Sequence, residues 1–264
     1  MRGCSTSEGK RCEIGRMLQK RKFDVFALSE TKLKGRGEVP FGSVVGRKSG
    51  VRTGRAREGV ALLVSDRVKE KVSEWKEVSA RMMWVKVKWG CETWVFLSVY
   101  GPGAEKGEEE RTAFWDDLSA CIAGFSGNCY VVVLGDLNAR VGDEMVGNVL
   151  GRFGVPGVNM SGLRMLEMCL EYDLAVGNSL FKKNVIKKYT WVRMVGGQVV
   201  ERASMNYVLI NGGMRGRLLD VDVLRGEAGG LSDHYLVEAK LKVKGRWQRY
   251  SRKVEVREEV KTMS

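Results

Sequence analysis

The stretch Val132-Val-Leu-Gly-Asp-Leu-Asn-Ala-Arg140 runs from an apolar segment into a glycine and then presents Asp136 and Asn138. On an extended chain, residues i and i+2 project to the same side. A carboxylate and an amide therefore converge at the end of a buried strand. Such a pair suits polar chemistry on a phosphate: Asp136 can orient or deprotonate water, and Asn138 can donate to an oxygen. A capped turn after a strand uses the same residue types, so the pair alone leaves both readings open. The lone histidine, His234, stands in Ser232-Asp-His-Tyr-Leu236 with Asp233 beside it, just before an apolar run. A carboxylate next to an imidazole can bind metal or tune the ring, although a solitary histidine also serves structure. In Asp24-Val-Phe-Ala-Leu-Ser-Glu-Thr-Lys32, Glu30 directly follows an apolar run. It is a candidate ligand for a hard cation, which takes oxygen donors and few of them; an exposed loop glutamate is the other reading.

Each of these groups needs an element to hold it. Cys12–Lys22 reads as a helix on Ile14, Met17 and Leu18, and 24–28 as a short buried strand. The Gly- and Arg-rich stretch from Gly35 to Gly59 reads as loop. Strands are expected at Val60–Val64, Met82–Lys88 and Thr93–Tyr100, the last two joined by a turn at Trp89-Gly-Cys-Glu92. Thr112–Phe125 is the clearest helix, with Phe114, Trp115, Leu118, Cys121, Ile122 and Phe125 on one face. Tyr130–Leu134 reads as a buried strand and Leu163–Tyr172 as a second amphipathic helix. Strands follow at Tyr189–Val192, Tyr207–Ile210, Leu219–Leu224 and Tyr235–Val243. No repeat divides the chain. One α/β domain over 1–243 is expected, with adjacent strands in mixed or antiparallel sheets and a basic extension over 244–264.

The 264 residues carry a net charge of +13, which favours a polyanionic partner such as DNA or an anionic membrane. The charge is clustered: Arg47, Lys48, Arg52, Arg55 and Arg57 follow one another without an acid between them. A second cluster covers Lys242–Lys261. The six cysteines form no CxxC pair, and one histidine cannot complete a zinc site. No apolar run reaches the roughly 18 residues of a membrane span, and Met1–Lys22 has no apolar signal core. A nuclear or cytoplasmic protein with free thiols, neither secreted nor membrane-bound, is expected.

Taken in order, "SETKLKG", "SVYGPG", "VVLGDLNARVGD", "YVLI" and "LSDHYLV" resemble the endonuclease/exonuclease/phosphatase superfamily. The resemblance runs from Lys10 to Val243, and its most specific parts are GDLNA and SDH. In texture it is similar to the endonuclease domains of LINE-type retrotransposons, a group that takes in the craniofacial-development-protein-two-like proteins; abasic-site endonucleases and pancreatic deoxyribonuclease are further relatives. The resemblance implies a four-layered α/β sandwich, two packed sheets with outer helices and the site at one edge. It implies Mg²⁺, with Mn²⁺ as a substitute, held by Glu30 with help from Asp233. It implies Tyr100 on the phosphate, Asp136 on the attacking water, and Asn138 on the scissile phosphate. His234 would donate to a phosphate oxygen. DNA would be the substrate, and the protein a monomer or a piece of a reverse-transcriptase polyprotein.

The chain departs from that pattern twice. The family's YVLI strand is preceded by an aspartate that hydrogen-bonds the histidine; here Ala203-Ser-Met-Asn-Tyr207 puts Asn206 there. An amide cannot stabilise an imidazolium by charge, and its NH₂ end could select the wrong tautomer. The family also opens with a strand ending in an asparagine near the metal, and Met1–Ser7 shows no such element. These departures imply impaired chemistry. A binding remnant without catalysis, or a phosphatase or lipid phosphodiesterase of the same fold, are the alternatives.

Overall fold

Apolar residues fall on both sides of several strands and along one stripe of each long helix, so the elements can be stacked only in layers. The computed structural model describes residues 8–125, 127, 129–225 and 232–244. In chain order they form α1 (Glu8–Arg21), β1 (Val25–Ser29), β2 (Arg36–Phe41), β3 (Val44–Ser49), β4 (Val60–Val64), α2 (Asp66–Lys69), β5 (Val72–Ser79), β6 (Met82–Trp89), β7 (Glu92–Tyr100), α3 (Glu108–Ala123), β8 (Cys129–Asp136), α4 (Met160–Glu171), β9 (Leu174–Val176), β10 (Trp191–Val195), β11 (Gln198–Ala203), β12 (Asn206–Asn211), β13 (Leu218–Leu224) and β14 (Leu236–Leu241).

One layer is a six-stranded sheet in the order β5-β6-β7-β8-β12-β9. Only β7 and β8 run parallel in it, with α3 as their crossover. The second layer is built from β1-β4-β3-β2 and the separate pair β13-β14. Three buried clusters hold the layers together. Leu62, Val85, Phe96, Val132 and Val208 pack between the two sheets. Phe114, Trp115 and Leu118 of α3 and Met165 of α4 cover the outer face of the six-stranded sheet. Ile14 and Leu18 of α1 cover Phe26, Leu28 and Leu63 on the far side. Helix, sheet, sheet, helix is the four-layered α/β sandwich expected from the motifs.

The turn at Trp89–Glu92 joins β6 and β7 as expected, with Gly90 at φ 62°. The stretch 35–59 is a correction. It is not continuous loop, because β2 and β3 form a hairpin within it. Its signal was hidden by Pro40, Gly37 and the charged residues suited to an edge strand. The readable cue was Phe41-Gly-Ser-Val44, two apolar residues around a two-residue turn. Helix α3 starts at Glu108, earlier than the apolar stripe, because three glutamates favour the first turn of a helix. Among the described residues no helix is long and apolar enough to cross a membrane. Met1–Ser7 and most of the basic extension, 245–264, lie outside the described residues.

Candidate active site

The strand ends at one edge of the sandwich carry the candidate residues. Strand β8 can approach β7 closely because position 135 is glycine: a Cβ there would lie 2.0 Å from the Val99 carbonyl oxygen. Its φ of 146° is also one that side chains rarely adopt. The parallel register then sets Asp136 beside Tyr100, and the antiparallel register of β12 sets Asn206 beside Asp136 on the other side. Strand β1 joins from the second sheet. The Ser29 hydroxyl donates to the Val99 carbonyl at 2.9 Å and accepts from the Asp136 amide at 3.2 Å. Glu30 follows it immediately.

Asp136 is fully buried. Its Oδ1 accepts from the Asn138 amide at 3.0 Å, which curls the chain so that the Asn138 side chain donates to the Gly101 carbonyl at 2.7 Å. Asn138 has φ 48°, a left-handed conformation that asparagine tolerates better than most residues. Glu30 is also left-handed, at φ 52°, as are Lys22 and Lys32. Its carboxylate lies 3.3 Å from the Lys32 ammonium.

His234 is fully buried. Its Nδ1 lies 2.7 Å from Asn206 Oδ1. The amide presents its oxygen to the ring, not its NH₂, so a proton on Nδ1 suits this contact. Asn206 is 4% exposed, and Thr190 Oγ1 accepts from its backbone amide at 3.0 Å. The carboxylate of Asp233 is turned elsewhere: the Trp191 indole N–H donates to its Oδ2 at 2.8 Å.

Tyr100 is held from behind. The guanidinium of Arg81 lies 5.2 Å from the ring centroid and donates to the Tyr100 carbonyl at 3.3 Å. Glu58 and Glu110 accept from Arg81 at 2.6 and 2.7 Å. Burial alone would raise the Glu110 carboxyl; its partners Arg81 and Lys106 outweigh that and hold it below its ordinary value. Arg81, Ser29 and Thr190 escaped the sequence reading. Ser29 had a usable signal, since it ends an apolar strand next to Glu30. Arg81 and Thr190 act across the fold and leave no local mark.

The structure thus links Ser29, Tyr100, Asp136, Asn138, Asn206 and His234 through adjacent strands and hydrogen bonds. Glu30 and Asp233 join through their chain neighbours. Among the described residues, no three His, Cys, Asp or Glu side chains gather as a ready-made cage for a metal. The donors present are single carboxylates, which fits a hard cation that keeps most of its water and binds with the substrate phosphate, and does not fit a closed zinc site. To one flank, Arg140, Lys188 and Arg202 line a small concavity with Phe153 and Asn178.

No family model matches the chain. It is 28% identical over 242 residues to craniofacial development protein 2 of Bos taurus and 27% identical over the same length to that of Tragulus javanicus, covering 91% of this chain in each case. The chain spans only 40% and 41% of those proteins. Among solved structures it is similar to the endonuclease domain of TRAS1, a telomere-specific non-LTR retrotransposon, with a TM-score of 0.65 at 13% identity, covering 91% of this chain and 96% of that one. The catalytic domain of Xenopus laevis APE2 gives a TM-score of 0.64 at 16% identity, covering 91% of both chains. The 3′ phosphatase NExo from Neisseria, bound to product DNA hairpin, gives 0.62 at 16%, covering 88% of this chain and 93% of that one. At these identities the likeness establishes the fold: a DNase I-like, endonuclease/exonuclease/phosphatase architecture.

Proposed function

We propose that this chain is a DNA-directed phosphodiesterase domain of retrotransposon endonuclease type, dependent on Mg²⁺ or Mn²⁺, whose chemistry is weakened at Asn206. The observation that carries the reading is the 2.7 Å contact between Asn206 Oδ1 and His234 Nδ1, with the buried Asp136 as the register partner of Asn206. Glu30 would hold the cation, with Asp233 assisting once its carboxylate leaves Trp191, and the cation would neutralise charge gathering on the phosphate. The chain's own groups do the rest. Asp136 orients water, Asn138 and Tyr100 fix phosphate oxygens, and His234 meets the oxygen on which charge develops. Asn206 fixes the ring's direction and tautomer, but a neutral amide adds no electrostatic support to an imidazolium.

The net charge of +13 and the cations Arg140, Lys188 and Arg202 beside the site favour nucleic acid over lipid. We read the protein as a monomer, or as one domain of a longer reverse-transcriptase polyprotein. The neutral partner of His234 also supports a second reading, a DNA-binding module with residual or no hydrolysis. Nicking of supercoiled plasmid with Mg²⁺, set against phosphate release from inositol phosphates, separates these. Slow nicking abolished by His234→Ala is expected. Inositol phosphate hydrolysis without nicking would sink the DNA assignment, and tight DNA binding with no hydrolysis by wild type or any site variant would favour the binding module.

A further inference from the structure

Beside the candidate site the fold gathers three cations from three separate stretches of chain. Arg140 follows β8, Lys188 caps the short helical turn 185–187, and Arg202 lies in β11. They line one concavity with room of about 30 Å³, and no acidic side chain lines it with them. Glu201 pairs with Arg140 from outside this lining and is shared with Arg193 at 3.4 Å. Like charges brought together repel, and an anion seated among them offsets that cost.

The concavity is fixed in place from the site outward. Arg140 comes two residues after Asn138, and Ser204, which also lines the concavity, comes two before Asn206. The buried Tyr207 ties these stretches together: its hydroxyl lies 2.7 Å from the Ser204 carbonyl and 3.1 Å from that of Ala139. The Arg140 amide donates to Asn159 Oδ1 at 2.9 Å, and the Lys188 ammonium donates to the Gly154 carbonyl at 3.3 Å. Two residues of chain span at most about 7 Å, close to one step between neighbouring phosphates along a DNA strand.

Size narrows the ligand. A water-sized group needs roughly 10–15 Å³, so about two of them fit here. The two non-bridging oxygens of one phosphodiester match that room. Pockets for small organic ligands run from about 300 Å³ upward, so a nucleobase does not fit. We infer that this concavity is a second phosphate subsite, which holds the DNA phosphodiester next to the one at Asp136 and Asn138. The inference rests on the phosphodiesterase reading for the place of the reacting phosphate. Phosphodiesters in succession belong to a polynucleotide strand, so the subsite selects strands over isolated phosphates.

The test uses the full chain, amide NMR and two probes: dTpT, with a single phosphodiester, and dTpTpT, with a pair in succession. Phosphorus NMR of the probes reports any hydrolysis. Expected are at least about fivefold tighter binding of dTpTpT, as a tethered second contact gives, and amide shifts at Gly154, Gly157 and Ser204 besides those at 136–138. Lys188→Ala/Arg202→Ala should bring dTpTpT down to the affinity of dTpT and abolish the shifts at 154, 157 and 204, while Lys188→Arg/Arg202→Lys retains both. Arg202→Ala alone, at an exposed position, carries the test should the double variant misfold. Equal binding of both probes by wild type, no shifts at 154, 157 and 204, or an unchanged preference for dTpTpT in the alanine variants would overturn the proposal. A charge-dependent preference for dTpTpT with no hydrolysis of any substrate would support the subsite while the phosphodiesterase reading fails, so the two are told apart.

Discussion

At the scale of single residues, the site turns on what faces His234. An aspartate at 206 would accept the same proton as the amide and also favour the imidazolium by charge. Asn206→Asp is therefore expected to raise Mg²⁺-dependent nicking by about 10- to 100-fold, the usual worth of a group that supports a reacting residue from behind. The change is nearly isosteric, so thermal stability should move little. The rise should vanish in Asn206→Asp/His234→Ala; equal rates for wild type and Asn206→Asp would show that the amide is no handicap. The types and local spacing of Glu30, Asp136, Asn138, Asp233 and His234 were legible in the sequence. What each one touches was not. Asp233 turns to Trp191 and Asn206 offers its oxygen, choices made by neighbours far along the chain.

At the scale of elements, legibility followed periodicity. Helix α3 and strands β4, β6, β7 and β8 announce themselves because their apolar residues recur at helical spacing or cluster in short runs. Strands β2, β3, β5 and β11 carry charges and exposed positions; they are strands because a neighbour offers an edge, which no local pattern records. The three-residue β9 is too short to show a period. One cap connects an element to the site. Asn159 Oδ1 accepts from the Gly162 amide at 2.8 Å, capping α4, and from the Arg140 amide at 2.9 Å, while its Nδ2 donates to the Asn138 carbonyl at 3.0 Å. Asn159→Ala should lower unfolding free energy by about 1–2 kcal/mol, as lost caps do. Because the same side chain ties down the loop that carries Asn138, any measurable nicking should fall as well. A stability loss in urea with kinetics untouched would show that the cap and the loop are independent.

At the scale of the whole molecule, net charge bears on binding and pH on stability. Arg52, Arg55 and Arg57 are exposed on the loop after β3. If they meet phosphates, the triple alanine variant should flatten the plot of log affinity for DNA against log salt by up to about 3, near one unit per contact. An unchanged slope would remove this loop from the interface. Glu92 lies at the other end of the sheet, buried against Arg217 at 2.6 Å, with the Lys244 amide and the Trp94 indole also donating to it. Burial alone would raise its carboxyl, but Arg217, Lys244 and Trp94 together hold it below its ordinary value. A carboxyl lowered by folding contributes stability above the ordinary carboxylate range and loses it as pH falls through the folded value. Urea midpoints should therefore separate wild type from Glu92→Gln at pH 7 and converge in acid; a gap that persists in acid would mean that shape, not charge, matters there. Among the described residues β1 pairs only with β4 and β14 only with β13, so each keeps an unpaired edge, with a consequence for the bench. Exposed edges stack copies of a protein on one another, and here the main opposition is mutual repulsion at a net charge of +13. Salt screens repulsion within a Debye length of about 10 Å at 0.1 M and about 3 Å at 1 M. Added salt should therefore drive the protein toward turbidity on storage, so light scattering should rise with ionic strength.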